Sequence, residues 1–403
     1  MRVYINDSLV IVNNKFENNI FAYDRLNRIQ YNINSDTFDV LEDIKNNEYK
    51  EEDLLKIYDS SFINQLFDMG ILTTKKQKNI NNVKRLEKYN NARIFAEITN
   101  KCNLKCKHCY GSFSYNNSTI LDIDIMKKII DNASLNGVYQ FDLTGGEPLL
   151  YPYFEELLQY LYESGMLVRI FSNLTVYNDN YKNMILKYGV KDIVTSIDSC
   201  DKRAHEEFRG RIGCFDKTIN AINDLKSNNV TVSVNTMIGE HNKNDIDDLV
   251  KFIDSLKVRS VLDVIVPEGR AKNLNENVVE SAKIIKNIYD KYLNIIDKSA
   301  VTVYCGIGDR FIYIKSDGNI YICPSLIYDQ YKIGNINSFD VKKIWKAMNS
   351  KFKNLNCKYR NEKCGKCSGG CRARALQLNG SIEARDDVYC ILNEVGDYIC
   401  ENI

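Results

Sequence analysis

The sequence predicts an α/β protein: a partial (β/α)6 barrel, preceded by a winged-helix-like domain and followed by a cysteine-rich extension. Three observations predict it. From residue 93 to about 290, six apolar segments alternate with amphipathic stretches, the pattern of parallel strands joined by right-handed helical crossovers. Before residue 75, three short strand patterns precede three helical ones. Beyond about residue 300, short strands and turns carry eight of the thirteen cysteines, from Cys305 to Cys400.

In chain order, "SLVIVNN", "NIFAYDRL" and "RIQYNI" read as strands. Phe38, Leu41 and Ile44, then Leu54, Leu55 and Tyr58, then Ile63, Leu66 and Phe67 recur at helical spacing. This gives a first domain over residues 1–75. The lysine-rich stretch "TTKKQKNINNVKRLEKYNN", which begins at Thr73, separates this unit from the next, and 76–92 reads as a linker with some helical tendency. The barrel spans 93–290, its strands being "RIFAEIT", "YQFDLT", "LVRIFS", "DIVTSID", "VTVSVNTM" and "VLDVIV". Ile125, Met126, Ile129, Ile130 and Ala133 outline the first crossover helix. In such a fold chemistry gathers at the C-terminal ends of the strands. The extension covers 291–403, where "FIYIKSDGNIYIC" places Asp317-Gly318 between alternating apolar residues and so predicts a hairpin leading into Cys323.

Composition narrows the function classes. Lys plus Arg is 54 against 53 Asp plus Glu, a net charge of +1, which gives no electrostatic reason to expect nucleic acid or a membrane surface as partner. No apolar run approaches a membrane span and no secretion signal is visible, so a cytoplasmic location is expected. In that compartment thirteen cysteines point to metal ligation rather than disulfides. Cys200 and Cys214, standing apart, read as small buried hydrophobes.

Cys102, Cys106 and Cys109 have the spacing Cys-x3-Cys-x2-Cys, directly after the first barrel strand. A closed [4Fe-4S] cluster or a structural zinc site wants four ligands. The trio therefore borrows a distant ligand or leaves one metal position open. "CNLKCKHC" resembles the signature of the radical S-adenosylmethionine (SAM) superfamily, whose unique iron binds the methionyl amine and carboxylate before the sulfonium is cleaved to a 5'-deoxyadenosyl radical. One helix later, "LTGGEPLL" (143–150) resembles the motif for the methionyl amine, which implicates Gly145, Gly146, Glu147 and Pro148, with a backbone carbonyl or Glu147 as acceptor. The same resemblance puts His108 near adenine, Ser172, Asn173, Ser196 and Asp198 near ribose, and Arg209 opposite the methionyl carboxylate, with "VPEGRA" (266–271) as a turn near adenine.

The later cysteines, Cys305, Cys323, Cys357, Cys364, Cys367, Cys371 and Cys390, resemble the SPASM extension of that superfamily, although its usual Cys-x2-Cys-x5-Cys-x3-Cys run here reads Cys-x6-Cys-x2-Cys-x3-Cys. The resemblance implies two auxiliary [4Fe-4S] clusters, three in all with the SAM-binding one. One is closed by Cys357, Cys364, Cys367 and Cys390; the other has only Cys305, Cys323 and Cys371, so either a substrate thiolate or Cys400, Cys214 or water completes it. The first domain resembles the leader-recognition element of enzymes that modify ribosomally made peptides, with a structural lid or dimerisation module as alternative. The implied partners are a precursor peptide with its leader and a flavodoxin- or ferredoxin-type reductant. The reaction implied first is a cysteine thioether crosslink. Carbon–carbon crosslinking, epimerisation and tetrapyrrole side-chain maturation are the rivals, and an electron-transfer or peptide-binding scaffold is the non-enzymatic one.

Overall fold

A computed structural model describes residues 1–78, 80–86, 93–292, 307, 311–352, 355–359 and 369–393. Its central feature is a nine-stranded sheet. Strands β7 (Arg93–Thr99), β8 (Gln140–Gly145), β9 (Leu167–Phe171), β10 (Asp192–Ser196), β11 (Thr231–Ile238) and β12 (Arg259–Val264) run parallel in sequence order. The alternation on β7 sets its two faces: Ile94, Ala96 and Ile98 join the core formed with Met126, Ile129 and Ile130 of the helix Ile123–Leu135. Phe95, at odd register, meets Phe171 on the opposite face, ring centroids 5.0 Å apart. The helix begins at Ile123 because Asp122 accepts from the backbone N–H of Asp124 and Ile125, 3.0 Å each.

The predicted hairpin forms as β13 (Phe311–Ile314) and β14 (Asn319–Tyr321), with Gly318 at φ +83° in the turn, and β15 (Lys332–Asn335) extends it. It is no separate unit. β13 pairs in parallel with β7, Phe311 opposite Arg93, so the extension continues the barrel sheet. Tyr313 on β13 donates to buried Glu97 on β7 at 2.6 Å, which fixes that seam.

In the first domain the two-residue strands β1 (Tyr4–Ile5) and β5 (Leu72–Thr73) pair with each other, β2 (Leu9–Asn14), β3 (Asn19–Asp24) and β4 (Ile29–Asn32) are antiparallel, and three helices, Ser35–Asn46, Glu51–Ile57 and Ser60–Asp68, cover one face. The expected linker departs from its reading. Residues Val83–Leu86 form β6, which pairs in parallel with β2, because Leu86 finds a core with Val10, Val12 and Leu167 that a solvated linker lacks. The sheet order β4-β3-β2-β6 leaves β4 at an open edge.

Two buried cations dock this domain on the barrel. Arg25 spends its donors on carbonyls, those of Ser8, Asp7, Tyr162 and Met166. Lys84, 1% exposed, donates to Ser134 Oγ at 2.5 Å. Burial, helped by Arg25 and Lys45, lowers the Lys84 pKa to about 7. A lysine lowered in the fold makes stability rise with pH between that value and its unfolded 10.5. Lys84→Met is therefore expected to be more stable than the parent by a few kcal/mol at neutral pH, since each pKa unit is about 1.4 kcal/mol. The gap should close toward pH 10.5 in paired urea titrations; a gap independent of pH would refute the assignment.

Among the described residues no helix is long and apolar enough to cross a membrane.

Candidate functional site

The loop after β7 carries Cys102, Cys106 and Cys109, and three other segments grip it. From β8, Gly146 donates its N–H to Thr99 O and Glu147 to Lys101 O, both at 2.8 Å. From the end of the helix Lys202–Arg209, Phe208 O and Arg209 O accept from Lys107 and Lys105 at 2.9 and 3.2 Å. From the turn after β12, Arg270 donates Nε to Cys106 O and Nη1 to Phe113 O, 2.8 Å each. Glycine is required where backbones touch. A Cβ on Gly145 would lie 2.1 Å from Thr99 O, and one on Gly146 2.3 Å from Lys101 O.

These segments enclose a cavity of about 220 Å³ at the C-terminal ends of the strands. All three cysteines line it, together with His108, Gly145, Gly146, Ser172, Asn173, Ser196 and Arg209. Three residues expected in the cavity wall lie behind it. Glu147 is fully buried and both its oxygens are taken: Oε1 accepts from Ser172 Oγ at 2.7 Å and Leu149 N at 3.1 Å, Oε2 from Asn173 N at 2.8 Å. It braces the ends of β8 and β9 instead of facing the cavity, and Pro148 is buried at the start of a single helical turn. Asp198 is buried too, its Oδ2 2.5 Å from Arg209 Nε. It aims Arg209, which does reach the cavity.

Charge at the site is arranged around that pair. Burial alone would raise Asp198, but Arg209 outweighs it, aided by His108, His205 and His241, and holds the carboxyl well below its usual range. Burial opposes the charge of Arg209, yet Asp198 and Cys106 keep it above its ordinary value. The guanidinium Nη1 lies 3.8 Å from Cys106 Sγ, while Nη2 is buried and has no partner among the described residues. Burial pushes the Cys102 thiol up to about 12 and raises Cys106 as well. Neutral buried thiols are the state expected without a cation; a bound metal ion inverts that preference, because thiolate is its ligand. Three convergent thiols, an orphaned guanidinium donor and two glycines that open the wall fit an iron–sulfur cluster with a zwitterionic ligand beside it.

The sequence reading missed several residues here. Arg270 clamps the cysteine loop from within the "VPEGRA" turn, where only the turn had drawn notice. His108, Phe208 and His241 form a three-ring stack, with centroids 4.7 and 3.6 Å apart; no local pattern joins residues so far apart in the chain. Cys214 is the small buried hydrophobe expected, 1% exposed, and packs with Cys102, Cys106 and Phe113.

In the extension Cys305, Cys364 and Cys367 lie outside the described residues. Cys323 follows β14 and is buried. Gly369 and Gly370, at φ +88° and +69°, draw the other segments together. A Cβ on Gly369 would lie 3.3 Å from Cys357 N, and one on Gly370 would meet Tyr389 Cβ at 2.8 Å, next to Cys390. Asp386 accepts from Cys371 N at 2.6 Å. Cys357, Cys371 and Cys390 thus sit on converging segments.

Comparison with known proteins agrees with this layout. Residues 96–253 match the Radical SAM superfamily, and residues 305–371 match SPASM, an iron-sulfur cluster-binding domain. The chain is 28% identical over 304 residues to the antilisterial bacteriocin subtilosin biosynthesis protein AlbA of Bacillus subtilis, covering 70% of this chain and 67% of that one. It is 26% identical over 340 residues to an AdoMet-dependent heme synthase of Nitratidesulfovibrio vulgaris, covering 72% and 89%. In fold it resembles the crystal structure of Streptococcus suis SuiB bound to precursor peptide SuiA, with a TM-score of 0.66 at 17% identity over 97% of this chain and all of that one.

Proposed function

Because this chain is a radical SAM protein with a SPASM extension, we propose that it matures a ribosomally made peptide by closing a cysteine thioether crosslink. The observation that carries the peptide assignment is the first domain, docked on the barrel with the edge of β4 open. An extended leader adds there as a strand, through main-chain hydrogen bonds, and tethers the core segment near the cavity. Relatives named for bacteriocin biosynthesis and for maturation of the sporulation killing factor support the same class.

Cys102, Cys106 and Cys109 hold the SAM-binding [4Fe-4S] cluster, and two further clusters are held by the later cysteines, the set Cys357, Cys364, Cys367 and Cys390 and the set Cys305, Cys323 and Cys371. The loaded site supplies one-electron cleavage of the sulfonium and a hydrogen-abstracting adenosyl radical. The chain's own residues position. Arg209, aimed by Asp198, offers its free Nη2 to the methionyl carboxylate. The glycine pair admits the amine to backbone acceptors, Ser172, Asn173 and Ser196 offer polar groups to ribose, and His108 presents a ring to adenine. The thioether rests on ligand count: with three thiols, the inner auxiliary set leaves room for a substrate thiolate. A flavodoxin- or ferredoxin-type protein supplies the electron.

Mass spectrometry of a small cysteine-containing precursor after incubation with reconstituted enzyme tests this reading. The expected product has lost two hydrogens and one alkylatable thiol; a product that keeps every thiol refutes the thioether. Tetrapyrrole maturation is the second reading, favoured by the long heme synthase match. A tetrapyrrole with altered side chains in a parallel incubation would select it, although a tetrapyrrole has no use for an open strand edge.

A further inference from the structure

We infer that the face behind the cysteine loop, built from Lys105, Arg203, Arg211, Ile212 and Lys217, docks an acidic one-electron carrier protein. The inference rests on the reading of Cys102, Cys106 and Cys109 as the site that must receive an electron. Under that reading SAM and the peptide fill the cavity side of the loop, so a protein donor approaches from the other side.

Contacts show what lies there. The helix Lys202–Arg209 ends against the loop, with Arg209 Nη1 3.8 Å from Cys106 Sγ. A Cβ on Gly210 would stand 2.7 Å from Lys105 O, and Arg211 Nη1 donates to Asn103 O at 2.9 Å. Residues 209–211 thus touch the stretch that carries Cys102 and Cys106. Their outer side faces water, where Arg203, Gly210, Arg211 and Ile212, all exposed, line one groove.

The whole chain has a net charge of +1, yet this face holds surplus cations. Of its exposed acids, Glu207 is paired with Lys107 at 2.8 Å, and Asp216, in the helix Cys214–Ser227, is paired with Lys202. Asp201 caps the helix through Ala204 N, and Glu206 is 8% exposed. Lys105, Arg203, Arg211 and Lys217 are exposed and have no ion-pair partner among the described residues. Ile212 stands among them at 92% exposure, the highest of the large apolar side chains described.

Unpaired cations steer an oppositely charged protein from a distance and add more to its arrival than to its retention. That suits a carrier that must leave after each electron, and such encounters need only a small interface. The peptide has no need of this face, since its leader has the β4 edge and its core segment the cavity. At each encounter a flavin carrier passes from hydroquinone to semiquinone, and its one electron enters the site.

SAM cleavage by reconstituted enzyme with flavodoxin hydroquinone as sole reductant tests this, with dithionite in parallel. In the double variant Arg203→Glu, Lys217→Glu the 5'-deoxyadenosine rate at subsaturating flavodoxin is expected to fall about tenfold, within the range that steering supplies. The dissociation constant for oxidised flavodoxin should rise by a similar factor, while the dithionite rate stays at the parent's. Added salt should slow the flavodoxin reaction of the parent and leave the variant nearly unchanged, because screening removes what the variant has already lost. Ile212→Ser should weaken flavodoxin binding and keep the parent's salt dependence.

Parent-like flavodoxin binding and rate in the double variant overturn the inference. An equal loss with dithionite also overturns it and makes these residues structural; weakened precursor binding overturns it and makes the face a peptide site. A parent driven by dithionite but not by flavodoxin, or driven by both with a flavodoxin rate that ignores this face, overturns this inference alone. A parent that cleaves no SAM with either reductant overturns the reading beneath it as well.

Discussion

Gly146→Ala is expected to cut SAM cleavage at least about a hundredfold, the loss that a misplacement near one ångström can produce. The reason is contact, not backbone angle. The new Cβ would stand 2.3 Å from Lys101 O, 2.6 Å from Lys101 C and 2.9 Å from Asn100 O. None of these is a flexible side-chain tip, so the backbone just ahead of Cys102 must move. It is held there by Glu147 N on Lys101 O at 2.8 Å, and pushing it away also displaces Cys102. Overpacking of this kind costs typically about 1–3 kcal/mol, so the melting temperature should fall as well. Gly334→Ala serves as control: its nearest neighbours would be 3.7 and 4.0 Å away, ordinary contacts. Measuring 5'-deoxyadenosine and iron per chain for both decides the matter. If Gly146→Ala cleaves like the parent, the two strand ends are not locked as described.

Gln30→Pro should separate peptide modification from cofactor cleavage. In β4 the N–H of Ile33 bonds inward to Ile20 O at 3.4 Å, and the register pairs Tyr31 with Ala22 and Ile29 with Asp24. Alternation turns the N–H groups of Ile29 and Tyr31 toward β3 and those of Gln30 and Asn32 outward. Proline at position 30 therefore deletes a donor that the fold does not use, a placement edge strands tolerate. A leader added as a strand does use it. Losing one such bond and crowding the next weakens leader binding by about tenfold or more, while the melting temperature and peptide-independent SAM cleavage stay near the parent's. Binding of a fluorescent leader peptide measures the effect. Unchanged affinity would move leader recognition off this edge.

How much of this was readable in the chain differs from element to element. The sequence by itself determined the six parallel strands, because period-two apolar alternation and intervening helical periodicity are local signals. It determined the hairpin at Asp317-Gly318, since few residues other than glycine accept the φ of +83° found there. It also determined that Cys102, Cys106 and Cys109 share one loop at the catalytic end of the barrel, since spacing and position along a strand are properties of the chain alone.

Only the tertiary structure decided the rest, because each remaining feature depends on what a residue meets across long sequence separations. Glu147 reads as a ligand and is a brace, since Ser172 and Asn173 claim its oxygens. Residues Val83–Leu86 read as linker and are a strand, since β2 offers them a partner. Arg270 and the Asp198–Arg209 pair acquire their roles only once β10, β12 and the cysteine loop are brought together. Periodicity reports which face of an element is buried; it carries no record of the neighbour that buries it, and that neighbour decides whether a polar side chain binds a ligand or holds another residue in place.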